Sequence, residues 1–163
     1  MTRALVLYAH PCADSYAAVL RDAVTETLAA RGWSVDLCDL YAEGFDPVMG
    51  EGERRGYHDT ATNTAPVQAH VDRLRAAQAL VFVHPVWNFG FPAILKGYTD
   101  RVFLPGITFR LDDGRVRPAM THIRRLADSV DDRTCAITSS LLAYLEQCVT
   151  LALQARPMLM AEA

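Results

Sequence analysis

Two runs of apolar residues, ALVLYA at 4–9 and ALVFV at 79–83, contain no charged or strongly polar side chain. Runs of that length, rich in Leu and Val, predict strands covered on both faces, as in a parallel sheet with helices on either side. Between them the period changes. Val19, Leu20, Ala23, Val24, Thr27 and Leu28 recur at helical spacing over 15–30, with Asp14 or Ser15 placed to cap the start and Gly32 just past the end. WSVDLCDL at 33–40 then alternates, setting Trp33, Val35 and Leu37 against Ser34, Asp36 and Cys38. That pattern predicts an edge strand whose polar set lies on the less-covered face.

Residues 41–65 are rich in Gly, Thr and acids and show no period, which is long for a connection and predicts a functional or interface segment. Pro66 opens the next helix, with Val67, His70, Val71, Leu74 and Ala77 down one stripe. After the second apolar run, Pro92 suits a first helical position, and Phe91, Ile94, Leu95, Tyr98 and Val102 line one helix face. On the same helix, Lys96 and Asp100 are spaced to pair in solvent. Gly97 inside it costs about 1 kcal/mol relative to Ala, which predicts that another backbone comes close there. Asp113-Gly114 marks a small hairpin within 108–116. Farther on, ADSVDDR at 127–133 is acidic, and 135–138 is the predicted fourth strand. Leu141, Leu142, Leu145, Cys148, Val149, Ala152 and Leu153 form an amphipathic stripe, and 157–160 is the predicted last strand. The chain therefore reads as one α/β domain over 1–163 with a doubly wound parallel sheet.

A length of 163 residues suffices for one real core, and 51% apolar with 21% charged residues is a globular balance. The formal net charge of -3 gives no reason to expect nucleic-acid binding. Neither the N-terminal run nor the stretch 141–160, broken by Glu146, Gln147, Gln154, Arg156 and Pro157, has the makings of a signal peptide or a membrane span, so a cytoplasmic protein is expected. Cys12, Cys38, Cys135 and Cys148 show no zinc-ligand spacing with one another or with His, so they are expected to be reduced thiols and no metal is expected.

In a doubly wound sheet, ligands bind beyond the carboxyl ends of strands where the winding reverses. With 33–40 at the edge, the strand order begins second, first, third, and the reversal falls between the two unbroken runs. The loops there are HPCADSY at 10–16 and HPVWNFG at 84–90. The first has no glycine, which excludes a dinucleotide Gly-x-Gly-x-x-Gly turn and a P-loop. It offers instead the Ser15 hydroxyl, the backbone amides of Tyr16 and Ala17 at a helix start, and His10, a set suited to a phosphate if it does more than cap the helix. The second gathers Trp87, Asn88, Phe89 and Gly90, which can lie flat on a planar ring or simply fill core. Together, a phosphate end and a ring end describe a flavin nucleotide better than a bare phosphate.

At these residues the sequence resembles the NAD(P)H:quinone oxidoreductase family of flavodoxin-like flavoproteins, which includes modulator-of-drug-activity and potassium-efflux ancillary proteins. The resemblance runs to about Leu126 and rests on AHPCADSYAA, LCDLY and above all HPVWNFGFPAILKGYTDRVFLPGITF. It implies a three-layer flavodoxin-like fold with strand order 2-1-3-4-5, bound FAD or FMN, NAD(P)H as co-substrate, a quinone-like acceptor and a homodimer. By position it implies that His10, Ser15, Tyr16 and Ala17 hold the flavin's phosphate side and that Pro85, Val86, Trp87, Asn88 and Phe89 hold its ring. Thr138 and Ser139 stand at the family's Thr- and Gly-rich turn over the ring, and Tyr144 is the nearest candidate for its proton relay. Residues 127–163 diverge from the pattern. The expected activity is two-electron transfer from NAD(P)H through the flavin to a quinone by a ping-pong mechanism. One alternative is a flavodoxin-like binding or regulatory subunit without turnover. Another, a Cys12-dependent redox or phosphatase-like enzyme, lacks the Cys-x5-Arg loop, since Ala18 stands six residues after Cys12.

Overall fold

Both unbroken apolar runs are strands, β1 (Arg3–Tyr8) and β3 (Ala79–His84), lying side by side in a computed structural model that describes residues 1–130. The other elements in chain order are α1 (Tyr16–Ala30), β2 (Ser34–Asp39), α2 (Glu51–Gly56), α3 (Gln68–Ala76), α4 (Ala93–Val102), β4 (Phe109–Asp112), β5 (Arg115–Pro118) and β6 (Arg125–Val130). β2, β1, β3 and β6 form one parallel sheet in that order, while β4 and β5 pair as a separate antiparallel hairpin. The expected order second, first, third, fourth is therefore present. The helix expected over 141–153 and the strands expected at 135–138 and 157–160 lie outside the described residues.

The period of two along each central strand sorts its side chains into two cores. Val6, Tyr8, Val81 and Val83 pack against Ala17 and Ala18, with Leu20, Val24 and Leu28 of α1 beside them. Leu5, Leu7, Leu80 and Phe82 face the other way, onto Val71 and Leu74 of α3 and Leu95, Tyr98 and Val102 of α4. Helices on both faces with a sheet between them make the three layers of a doubly wound α/β fold. α1 starts where Ser15 Oγ accepts the amide of Ala18 at 3.1 Å and stops at Gly32, whose φ of 74° lets the chain turn off the helix.

The long connection after β2 is tied down along its length. Asn63 donates its side-chain amide to the carbonyls of Tyr57 and Pro105, each at 3.0 Å, and Arg101 pairs with Glu53 at 2.9 Å while donating to the Asp46 carbonyl. Gly97 shows what sits above α4: a Cβ there would meet the Pro47 carbonyl oxygen at 2.3 Å. The backbone approach expected from the sequence is thus that of the connection itself.

Two expectations are corrected. On β2 the set containing Asp36 and Cys38 is the covered one: Cys38 and Leu40 are fully buried, whereas Leu37 is 37% exposed. A thiol buries like a small hydrophobe, and Asp36 can turn inward because Arg73 and Arg3 reach it at 2.7 and 2.9 Å. Burial pushes the Asp36 carboxyl up, but hydrogen bonds from Arg73 and Arg3 outweigh it and hold the group below the ordinary carboxylate range. The second correction concerns the fourth strand of the parallel sheet. It is β6 (Arg125–Val130), so the acidic ADSVDDR begins inside a strand rather than before one. Asp128 is tolerated there because a histidine faces it.

Gly97→Ala should destabilise the fold by about 2 kcal/mol in a urea titration, because the overpacking cost exceeds the ~1 kcal/mol of helix propensity gained. A stabilised variant would contradict the close approach of Pro47.

Candidate functional site

β1 and β3 pair in register from Ala4↔Ala79 to Tyr8↔Val83, and the amide of Ala9 extends the pairing to the Val83 carbonyl at 3.1 Å. Their carboxyl ends are therefore level, and the loops leaving them start next to each other. The contact that proves it is between His10 and Trp87, whose rings meet edge to face with centroids 5.7 Å apart.

In the first loop, His10 Nδ1 accepts the amide of Cys12 at 3.0 Å. That acceptor role places the proton of the neutral ring on Nε2, leaving an N–H to donate outward. Ser15 caps α1 through its oxygen, so its hydroxyl proton is still available. Among the described residues the amides of Tyr16 and Ala17 meet no backbone acceptor, as the first donors of a helix do not. These donors converge with the positive end of the α1 macrodipole, an arrangement that binds phosphate.

The second loop is a tight hairpin. Trp87 and Gly90 exchange both backbone hydrogen bonds at 3.1 Å, while Asn88 and Phe89 between them have φ of 47° and 66°. Two consecutive left-handed residues are the geometry of a type I′ turn, which favours Asn first and Gly second. Asn88 follows the rule; Phe89 breaks it, at a cost of ~1–2 kcal/mol. Strain of this kind persists where function uses the geometry. Phe89 is also 75% exposed and Trp87 41% exposed, so neither is a core residue. Pro85 is buried and Val86 half-buried at the root of the turn. The turn presents two aromatic faces, and the amides of Asn88 and Phe89 have no backbone acceptor among the described residues. It can stack on a planar ring and bond that ring's polar edge.

A buried pair that the sequence did not announce supports the turn. His84, the last residue of β3, has its Nδ1 2.9 Å from the Pro85 carbonyl and its Nε2 3.1 Å from Asp128 Oδ1 on β6, with both side chains at 0% exposure. The approach to Asp128 is out of line for a hydrogen bond. The imidazole stands between a backbone carbonyl and a carboxylate, both of them acceptors. Phe91 closes over the imidazole edge to face, with centroids 4.8 Å apart. The signal in the sequence was a histidine at the end of an apolar strand opposite an acid in the next parallel strand, visible only once those strands are paired.

The structure thus brings His10, Ser15, Tyr16, Ala17, Pro85, Val86, Trp87, Asn88 and Phe89 to one edge of the sheet. Thr138, Ser139 and Tyr144 lie outside the described residues. A family model of the flavodoxin-like fold matches residues 2–126. The chain is 34% identical over 117 residues to an uncharacterized NAD(P)H oxidoreductase, YcaK, of Escherichia coli, an alignment covering 71% of this chain and 59% of that one. It is 33% identical over 126 residues to an FMN-dependent NADH:quinone oxidoreductase of Bacillus pumilus, covering 68% of this chain and 60% of the relative. Among solved structures, Smu.1420 of Streptococcus mutans is 30% identical with a TM-score of 0.67, covering 78% of this chain and 67% of that one. The chain belongs to the NAD(P)H:quinone oxidoreductase family of flavodoxin-like proteins. It spans about half the length of several of the curated family members it matches.

Truncating His84 to Ala should cost about 3 kcal/mol or more in urea denaturation, because Asp128 is left buried without its partner. The double variant His84→Phe with Asp128→Leu should recover most of that loss. A single-variant cost below about 1 kcal/mol would contradict the pairing.

Proposed function

We propose that the two loops hold a flavin nucleotide, FMN or FAD, and that the chain uses it to pass two electrons from NAD(P)H to a quinone-like acceptor. The observation that carries this reading is the His10–Trp87 contact, which joins a phosphate-type donor set to an exposed aromatic turn. The donor chemistry fits such a nucleotide at both ends. Ser15, the amides of Tyr16 and Ala17, and the Nε2–H of His10 hold the phosphate. Trp87 and Phe89 wall the ring, while the amides of Asn88 and Phe89 bond its polar edge and Pro85 and Val86 seat it. The names of the E. coli and B. pumilus relatives support a nicotinamide donor, and the latter supports FMN and a quinone.

When bound, the flavin supplies the hydride chemistry that no side chain of this site can perform. The protein's part is to bind, orient and exclude water. Donor and acceptor would bind in turn at this one site, which would give ping-pong kinetics. A second protomer covers the exposed Trp87 and Phe89, so the working unit is a homodimer of single domains spanning 1–163. By resemblance to the family alone, we assign Thr138 and Ser139 to the ring side of the site and Tyr144 to the proton relay. No helix among the described residues is long and apolar enough to cross a membrane, and we place the enzyme in the cytoplasm.

The purified protein should show a flavin absorbance that bleaches on anaerobic addition of NADH or NADPH and returns when a quinone is added. Retained flavin without NAD(P)H oxidation would favour a binding subunit. A colourless protein that neither FMN nor FAD reconstitutes would overturn the proposal.

Phe89→Gly separates fold from function. Relief of the left-handed strain offsets glycine's ~0.5–1 kcal/mol entropy cost, so unfolding free energy should hold or rise. Loss of the aromatic wall should weaken flavin binding about tenfold, equivalent to ~1.4 kcal/mol. Equal affinity, measured by equilibrium dialysis, would contradict a ring-facing Phe89.

A further inference from the structure

One strand removed from the β1–β3 crevice, three side chains of different chemistry point at a common centre. Cys38 lies on β2, Glu43 in the loop that follows and His70 on α3. Cys38 Sγ is 3.7 Å from Glu43 Oε2 and 3.8 Å from His70 Nδ1, and one ligand atom from each residue lies within 4.8 Å of the other two. A tetrahedral ion with bonds of about 2.3 Å to sulfur and about 2.0–2.1 Å to nitrogen or oxygen sets its sulfur-to-nitrogen and sulfur-to-oxygen edges near ~3.6 Å. Both sulfur edges already stand within a few tenths of an ångström of that arrangement, and the Glu43 and His70 ligand atoms lie within 4.8 Å of each other. We propose that Cys38, Glu43 and His70 form a binding site for a zinc-class divalent cation, with water as its fourth ligand.

The surroundings are those of a metal site. Arg73 holds both oxygens of Glu43, at 2.9 and 2.7 Å, and is itself fixed by Asp36 and the Leu37 carbonyl, each at 2.7 Å. A ligating carboxylate oriented by an outer hydrogen-bond partner is the usual supporting shell. Phe45 and Tyr98 both pack edge to face with the His70 ring, with centroids 5.0 and 5.5 Å away, which fixes its plane. The Tyr98 hydroxyl, on a ring that packs against His70, is buried without a hydrogen-bond partner. Glu43 is 35% exposed on its side chain, which leaves a path from solvent. A set of one sulfur, one nitrogen and one oxygen donor suits zinc rather than calcium or magnesium.

Cys38 binds as its thiolate, so its proton leaves to solvent when the ion enters.

The test is a Co2+ titration of the metal-stripped full chain, read as a difference spectrum. The site should give a thiolate-to-cobalt band in the near ultraviolet that saturates at one equivalent and disappears when Zn2+ displaces the cobalt. The band should vanish in Cys38→Ser, bind at least tenfold more weakly in His70→Gln and Glu43→Gln, and persist when Cys12, Cys135 and Cys148 are all changed to Ser. No band from folded wild-type protein at pH 8, or a band that survives Cys38→Ser or follows one of the other cysteines, would overturn the assignment. If Cys38→Ser fails to fold by circular dichroism, unchanged cobalt affinity in both His70→Gln and Glu43→Gln would overturn it equally.

Discussion

The parallel register of β1 on β3 is the constraint from which the rest follows. Because Tyr8 lies opposite Val83 and the Ala9 amide still bonds the Val83 carbonyl, the two strands end level. Right-handed crossovers place α1 on one face of the sheet and α3 with α4 on the other, and the two loops leave the strand ends between those layers. One loop then contributes helix-start amides and the other an aromatic turn. A register slip of one residue would flip Leu5, Leu7, Leu80 and Phe82 out of their core, so the apolar pattern that makes the sheet also fixes the site.

The central strands were legible because a run covered on both faces needs no interpretation of facing. The edge strand was harder. An alternation rule treats Cys and Asp alike as polar, yet Cys38 is fully buried and Asp36 is drawn inward by Arg73, a partner on α3 that no local pattern connects to it. β6 was displaced in the sequence reading for the same reason. The acidic run containing Asp128 argued against a buried strand there, and the residue that faces Asp128, His84, lies on another strand. Where a charge is answered by a residue far along the chain, composition misleads until the fold is known.

The candidate site was legible by residue but not by conformation. His10, Ser15 and the 85–89 segment could be named from their place after two strands, whereas the left-handed Phe89 could not, because propensity argues against a bulky aromatic at that φ. The Cys38, Glu43 and His70 cluster was invisible for a different reason. Its ligand spacing is set by α3 packing across β2, so the sequence shows three unrelated residues.

The claim that both loops form a single cradle is tested most directly by following backbone amides in solution. Titration of the cofactor-free protein with FMN, observed by two-dimensional NMR, should shift the amides of Tyr16 and Ala17 and those of Asn88 and Phe89 together, along one saturation curve. Perturbation confined to one loop, or no saturable perturbation in either, would contradict the account.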